Sequence, residues 1–129
     1  MPPIENLQRV PLYHLNALER QGVFTTGLLL EVSETPTRRQ YLADQIGADI
    51  TDVNDWRDEA LLLNLANFGP DEQALFTQAG IVGLSDLLAL DLDEFRATLA
   101  RAARVVGMTP PADLITEGWW DQAHTLREE

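Results

Sequence analysis

The feature of this sequence that most constrains its fold is a motif that occurs twice. Residues 56–60 and 119–123 each begin the pattern W-x-D-[EQ]-A-x-x-L, which ends at Leu63 and at Leu126. Upstream of it, further pairs lie 58 residues apart: Leu7 and Leu65, Val10 and Phe68, Leu18 and Phe76, Gly22-Val23 and Gly80-Ile81, and Leu29-Leu30 and Leu87-Leu88. The W-x-D-[EQ]-A-x-x-L motifs lie 63 residues apart, so the second copy contains five inserted residues. Because internal repetition marks a repeated structural unit, we predict two copies of one fold, at about residues 7–64 and 65–126.

The apolar residues of the chain follow a helical period. Leu and Ala dominate at spacings of three and four, while Val, Ile and Thr are scattered, which favours helices over strands. Val53, Trp56, Ala60 and Leu63 form one such stripe and are expected to be buried. We therefore predict an all-α fold: a single compact domain of about eight short helices, made of the two fused repeats.

Glycine, proline and capping residues predict where these helices begin and end. Gly22 is expected to end the first helix, and Thr35 followed by Pro36 to begin the third. Thr51 is expected to cap the fourth helix and Asp91 the seventh. The helices are predicted over about 11–21, 26–33, 36–46, from 51, 70–79, from about 85, 91–106, and in a last segment through 126. Residues 1–6 are predicted to form a flexible tail.

The composition of the 129-residue chain excludes most catalytic chemistry. There is no Cys and no Lys, which removes thiolate nucleophiles, cysteine-based metal sites and Schiff-base lysines. His14 and His124 are too few for a three-histidine zinc site, and Ser85 lacks the second glycine of a nucleophile elbow. The aspartates at 49, 52, 55 and 58 drift around a helix and are interpreted as a solvated face. We expect no catalytic residue, no metal and no cofactor.

The charge of the chain bears on its partners and its location. Twenty-one acidic residues against 9 Arg give a net charge of −12, which opposes binding to nucleic-acid phosphates and to anionic lipid. No apolar run is long enough to span a membrane. The first twenty residues include Glu5, Arg9, Glu19 and Arg20 and lack the apolar core of a secretory signal, so we expect a cytoplasmic protein.

The order of a short helix, Gly22-Val23 and a second short helix, found again around Gly80-Ile81, is the pattern of a helix-hairpin-helix unit. Through an ordered set of residues the chain resembles a bacterial domain-of-unknown-function family built from two helix-hairpin-helix-like repeats. The set comprises Leu18, Gly22-Val23, Leu29-Leu30, Thr35-Pro36, Arg38, Leu42-Ala43, Gly47, Ile50, Val53, Trp56, Ala60 and Leu63, and then Leu65, Phe68-Gly69-Pro70, Gly80-Ile81, Trp119, Ala123 and Leu126. The resemblance implies the fold over about residues 7–126. It implies no activity, because the family has none established.

One functional hypothesis is that the hairpins contact nucleic acid. Helix-hairpin-helix units that bind DNA do so with the backbone N–H groups of a G-x-G turn. The first turn, Arg9-Val10-Pro11, has lost both glycines, and the second keeps Gly69 but is followed by Asp71 and Glu72. We keep this as the alternative hypothesis, with phosphate contacted through Gly69, Arg96, Arg101 and Arg104. Its competing interpretation is that these arginines are solvated and paired with acidic neighbours.

The favoured hypothesis is a non-catalytic protein-interaction or scaffold module with degenerate hairpins, which binds a protein partner or a second copy of itself. Where the second repeat has Pro70, Asp71, Gln73 and Asp86, the first has Leu12, Tyr13, Leu15 and Leu28. This exchange of polar for apolar residues predicts either a contact surface or a face covered by other helices of the chain. Trp120 is added to the candidate surface because its counterpart, Arg57, is polar, while Trp119 is expected in the core. Packing of Trp120 against the seventh helix is the alternative.

Overall fold

The computed structural model describes residues 2–127, and the regular structure there is helical. A 3₁₀ helix, Ile4–Asn6, is followed by eight α-helices in the described chain. They are α1 (Leu12–Arg20), α2 (Thr26–Val32), α3 (Pro36–Ile46), α4 (Ile50–Leu63), α5 (Pro70–Gln78), α6 (Leu84–Leu88), α7 (Leu92–Val106) and α8 (Asp113–Leu126). The extended pairing in these residues is one isolated antiparallel bridge, Pro3 to Thr25. The predicted all-α class is confirmed.

The chain divides into two units between residues 64 and 65. Unit 1 contains α1–α4 and unit 2 contains α5–α8. In unit 1, α4 packs against α2 and α3. In unit 2, α5 packs against α7, and α8 packs against α6 and α7.

The helix ends follow from local chemistry. The Thr35 hydroxyl accepts the Arg38 backbone N–H at 3.2 Å, which satisfies one of the donors left open at the start of α3. Asp91 does the same for α7 by accepting the Glu94 N–H at 2.7 Å. At the other end of α3, Gly47 has φ +72°, a left-handed conformation that costs a residue with a Cβ atom extra energy.

The core of unit 1 lies between α4 and the helices beside it. Val53, Trp56, Ala60 and Leu63 are buried, as the apolar stripe predicts. In unit 2 the core is aromatic: the ring of Phe76 meets those of Phe68, Phe95 and Trp119 edge to face, with centroids 4.9, 5.8 and 5.2 Å apart. Edge-to-face pairs stabilise a core beyond the area that they bury.

The flexible tail predicted at residues 1–6 is wrong for its described part, residues 2–6. Ile4 is completely buried, and its backbone N–H donates to the Phe24 carbonyl at 2.9 Å. The Pro2 carbonyl accepts the Thr26 N–H, also at 2.9 Å, at the first turn of α2. The segment is held because it supplies an apolar side chain to the core and an acceptor to an open helix end. Met1 lies outside the described residues.

The predicted start of α4 also needs correction. The helix begins at Ile50 rather than after Thr51. Asp49 is the residue before it, and its N–H donates to the Asp52 carboxylate at 3.1 Å. Sequence inspection favoured the hydroxyl, but a carboxylate three residues into the helix fixes this start instead.

Candidate functional site

Two of the predicted contact residues lie at the surface of unit 1. Leu12 and Tyr13, in the first turn of α1, are 70% and 69% exposed. Leu15, one turn further along α1, and Leu28, in the first turn of α2, are half-buried. We call Leu12 and Tyr13 the α1 face. Adjacent large apolar side chains at this exposure are what a protein partner desolvates.

The residue next to the α1 face is packed into the unit. The ring of His14 contacts Tyr13 edge to face with a centroid distance of 5.2 Å, and contacts buried Trp56 at 5.4 Å. Its buried Nδ1 atom has no hydrogen-bond partner in the described chain. The imidazole therefore connects α1 to α4, and the exposed Tyr13 ring is in contact with a side chain that packs on the core.

The loop before α1, which the sequence analysis interprets as the first hairpin turn, is bound by a side chain of the same chain that the sequence did not predict. The two carboxylate oxygens of Glu59 accept the backbone N–H groups of Gln8 and Arg9, at 2.6 and 2.9 Å. The Arg9 guanidinium in turn binds the Asp58 carboxylate at 3.1 Å. Burial raises the pKa of Glu59 above its ordinary value, and the two N–H groups and Arg9 oppose that rise. The Glu59 carboxylate thus accepts hydrogen bonds from backbone N–H groups. In a helix-hairpin-helix unit that binds DNA, such N–H groups contact phosphate.

In the loop before α5, which the sequence analysis interprets as the second hairpin turn, backbone N–H groups also donate to side chains of the chain itself. The Ala66 N–H donates to the side-chain oxygen of Gln122 at 2.9 Å. The Gly69 N–H donates to the Glu72 carboxylate, also at 2.9 Å. Gly69, the predicted phosphate contact, is therefore already bound to an anion from its own chain.

The three predicted arginines lie on α7 and differ in their surroundings. Arg96 donates to the Thr116 hydroxyl and the Asp113 carbonyl, both at 3.0 Å, which ties α7 to the start of α8. Arg101 is exposed and donates to the Thr98 hydroxyl at 3.3 Å, and Arg104 is exposed in the last turn. Arg101 and Arg104 are three residues apart and share one side of the helix.

Trp120 is engaged within unit 2. Its indole N–H donates to the Leu90 carbonyl at 3.4 Å, and its ring lies 3.9 Å from that of His124. The premise that placed Trp120 at the surface was wrong, because its counterpart Arg57 is buried: the guanidinium donates to the Leu30 carbonyl at 2.8 Å and to the Ser33 hydroxyl at 2.7 Å. In both units this position supplies a donor near the end of the second helix.

A groove in unit 1 was missed by the sequence analysis. It has a volume of about 510 Å³ and is lined by Gln21, Val23, Val32, Thr37, Arg38, Tyr41, Leu42 and Gln45. Two neighbouring lining residues of α3 differ in exposure: Leu42 is buried and Tyr41 is 67% exposed. The available signal was their adjacency, because neighbours on a helix point about 100° apart.

The described residues contain no group of three or more His, Cys, Asp or Glu side chains arranged to hold a metal ion. Between residues 2 and 127, no helix combines the length and the apolar character that a membrane span requires.

Comparison with known proteins identifies a family. The model of the family described as "Domain of unknown function (DUF4332)" matches residues 13–126. No protein of curated function and no solved structure matches the chain. The chain belongs to the DUF4332 family.

Proposed function

We propose that this DUF4332 protein is a non-catalytic protein-interaction or scaffold module whose contact surface is the α1 face. The observation that carries the proposal is the exposure of Leu12 and Tyr13 side by side, at 70% and 69%. Tyrosine is a frequent energetic centre of interfaces because it offers a large rigid ring with one polar atom. The packing of His14 between Tyr13 and Trp56 supports this role, since a supported ring loses less side-chain entropy on binding.

We further propose that the two units are degenerate helix-hairpin-helix-like repeats. Each unit has four helices in the same order. The bond from Gln8 N–H to Glu59 in unit 1 has a counterpart from Ala66 N–H to Gln122 in unit 2, at matching positions of the two sequence copies. Internal acceptors at both turns support a hairpin fold that has given up phosphate contact. With a net charge of −12, this favours a protein over a nucleic acid as partner.

Matched variants test the interaction. Leu12→Asp and Tyr13→Asp place a charge on the α1 face, while Tyr41→Asp makes the same change at a tyrosine of nearly equal exposure elsewhere in unit 1. Self-association is measured by sedimentation velocity, and partner capture by affinity purification with mass spectrometry. We expect association to fall at least tenfold in both α1 variants and to persist in Tyr41→Asp, with circular dichroism unchanged in all three. Equal association by all proteins would contradict the proposal.

Nucleic-acid binding is the second candidate, and the exposure of Arg101 and Arg104 on one side of α7 favours it. This candidate function predicts saturable binding of labelled duplex or single-stranded DNA or RNA at low salt. Fluorescence anisotropy measures the binding. The Arg101→Glu, Arg104→Glu double variant is then expected to weaken binding for every sequence and to flatten its salt dependence. A flat titration of the unmodified protein into the high-micromolar range would end this candidate.

We also propose a cytoplasmic location. The absence of cysteine from the 129 residues supports it, because small proteins of oxidising compartments commonly rely on disulfides. Fractionation of cells that express a tagged protein tests the location.

A further inference from the structure

We propose that the groove of unit 1 binds a small amphipathic carboxylate. The apolar chain of the ligand lies along Val32, Tyr41 and Leu42, and its carboxylate pairs with Arg38. This site does not include the residues of the α1 face, so ligand binding in the groove does not depend on the protein interaction proposed above.

The shape and lining of the groove suit an apolar chain. Its volume of about 510 Å³ lies in the range of small-molecule sites, roughly 300–1,000 Å³. Of its apolar and aromatic lining residues, Val23 and Leu42 are buried, while Val32 and Tyr41 are exposed. An apolar chain that enters the groove removes water from these exposed surfaces, which is the main source of affinity for such a ligand.

The charge of the lining selects the head group. None of the eight lining residues is acidic, although the chain has 21 Asp and Glu, and Arg38 is the cation among them. Arg38 is loosely held: its guanidinium lies 3.8 Å from Glu34, and both side chains are more than half exposed. An exposed ion pair of this kind contributes little free energy, so it is easily broken. The guanidinium is then able to bind a ligand carboxylate through two N–H groups.

The neighbouring arginine does not compete for this role. The Arg39 guanidinium donates to the carbonyls of Ser33 and Glu34 at 2.9 and 3.3 Å, at the end of α2. Gln21, Thr37 and Gln45 add neutral donors and acceptors to the lining. One cation beside one apolar channel matches a ligand with a single negative charge. A partner with many carboxylates is disfavoured by the net charge of −12.

The site is tested by titrating the full chain with sodium decanoate, at concentrations below those at which decanoate forms micelles. Binding is monitored by ¹H–¹⁵N NMR. We expect saturable shifts at the amides of the lining residues, with 1-decanol and decyltrimethylammonium at least tenfold weaker. Arg38→Gln is expected to weaken decanoate binding about tenfold and leave 1-decanol unchanged, because it removes a charge-assisted pair. Tyr41→Ser is expected to weaken both ligands. Arg127→Gln, at an exposed arginine in unit 2, is the charge-matched control and should change neither.

Three results would overturn the proposal: shifts that do not saturate or that spread beyond the lining, equal affinity for decyltrimethylammonium, or an Arg38→Gln variant with unchanged decanoate affinity. The dispersion of the NMR spectrum of each variant confirms that it is folded. If decanoate causes no shifts while the same amide signals shift with protein concentration, the groove binds a second copy of the chain instead, and the proposal is wrong.

Discussion

Removal of the Glu59 side chain tests whether its carboxylate holds the loop before α1 in place. Glu59→Ala deletes both acceptors of the Gln8 and Arg9 N–H groups. Hydrogen bonds to a charged group contribute about 1.5–3 kcal/mol each, so the gross loss is about 3–6 kcal/mol. Relief of carboxylate burial, and water reaching the exposed Gln8, offset about half of it. We expect a net loss of about 1.5–3 kcal/mol and a fall in Tm of about 6–11 °C.

Gln122→Ala is the matched control, because it removes the single neutral bond at the equivalent turn of unit 2. We expect it to cost about 0.5–1.5 kcal/mol. Urea unfolding followed by far-UV circular dichroism at pH 7 measures both variants. A Glu59→Ala protein that loses no more stability than Gln122→Ala would refute the reasoning that the carboxylate holds the turn.

The pH dependence of the same comparison follows from the raised pKa of Glu59. A raised pKa means that the folded protein favours the protonated carboxyl, so the contribution of Glu59 to stability is fully present below its ordinary value of 4.5. This contribution declines as the pH rises through the folded-state pKa. The stability difference between the unmodified protein and Glu59→Ala should therefore be larger at pH 4.5 than at pH 7. A difference that grows with pH would show that the pKa is lowered instead.

Three further substitutions probe the described contacts by the same urea assay. Arg57→Met leaves the Leu30 carbonyl and the Ser33 hydroxyl without their buried donor and should cost about 2–4 kcal/mol; a cost below 1 kcal/mol would contradict that role. Gly47→Ala places a Cβ atom at φ +72° and should cost about 1–2 kcal/mol, and an unchanged midpoint would argue against the left-handed end of α3. Trp120→Phe removes the long bond to Leu90 but keeps an aromatic ring beside His124, and it should cost about 1 kcal/mol without affecting partner capture; loss of capture would return Trp120 to the contact surface.

The helices were predictable because their signals are local. Thr35 and Asp91 cap helices through side-chain oxygens that reach N–H groups three residues away, and Gly47 ends a helix through its own φ angle. The stripe that contains Val53 and Trp56 was equally clear, since a helix of that period buries one face.

The predictions failed at residues whose burial or hydrogen bonding depends on partners far away in the sequence. Ile4 is buried against parts of the chain that a six-residue segment does not reveal, and so it was assigned to a tail. Trp120 was assigned to the candidate surface because its counterpart Arg57 is polar, yet the Arg57 guanidinium is buried and donates to acceptors 24 and 27 residues away. Glu59 escaped notice for the same reason, because its partners lie 50 and 51 residues earlier. Polar residues with distant partners are not distinguishable in one sequence from polar residues in water.

The candidate surfaces were predictable in part. The comparison of the two repeats singled out Leu12 and Tyr13, which are exposed, together with Leu15 and Leu28, which are half-buried. The groove was not predictable, because it is formed by residues from the ends of α1 and α2 and from α3 that come together only in the folded unit.

Photo-crosslinking from the α1 face tests the central claim most directly. A p-benzoylphenylalanine is placed at Tyr13 in one protein and at Tyr41 in another, two positions of nearly equal exposure, and the cells that express each are irradiated. The proposed interaction predicts a discrete adduct of defined mass at position 13 that is missing at position 41 and is lost when Leu12→Asp is added. Identical adduct patterns from both positions, or a nucleic-acid adduct from position 13, would contradict it.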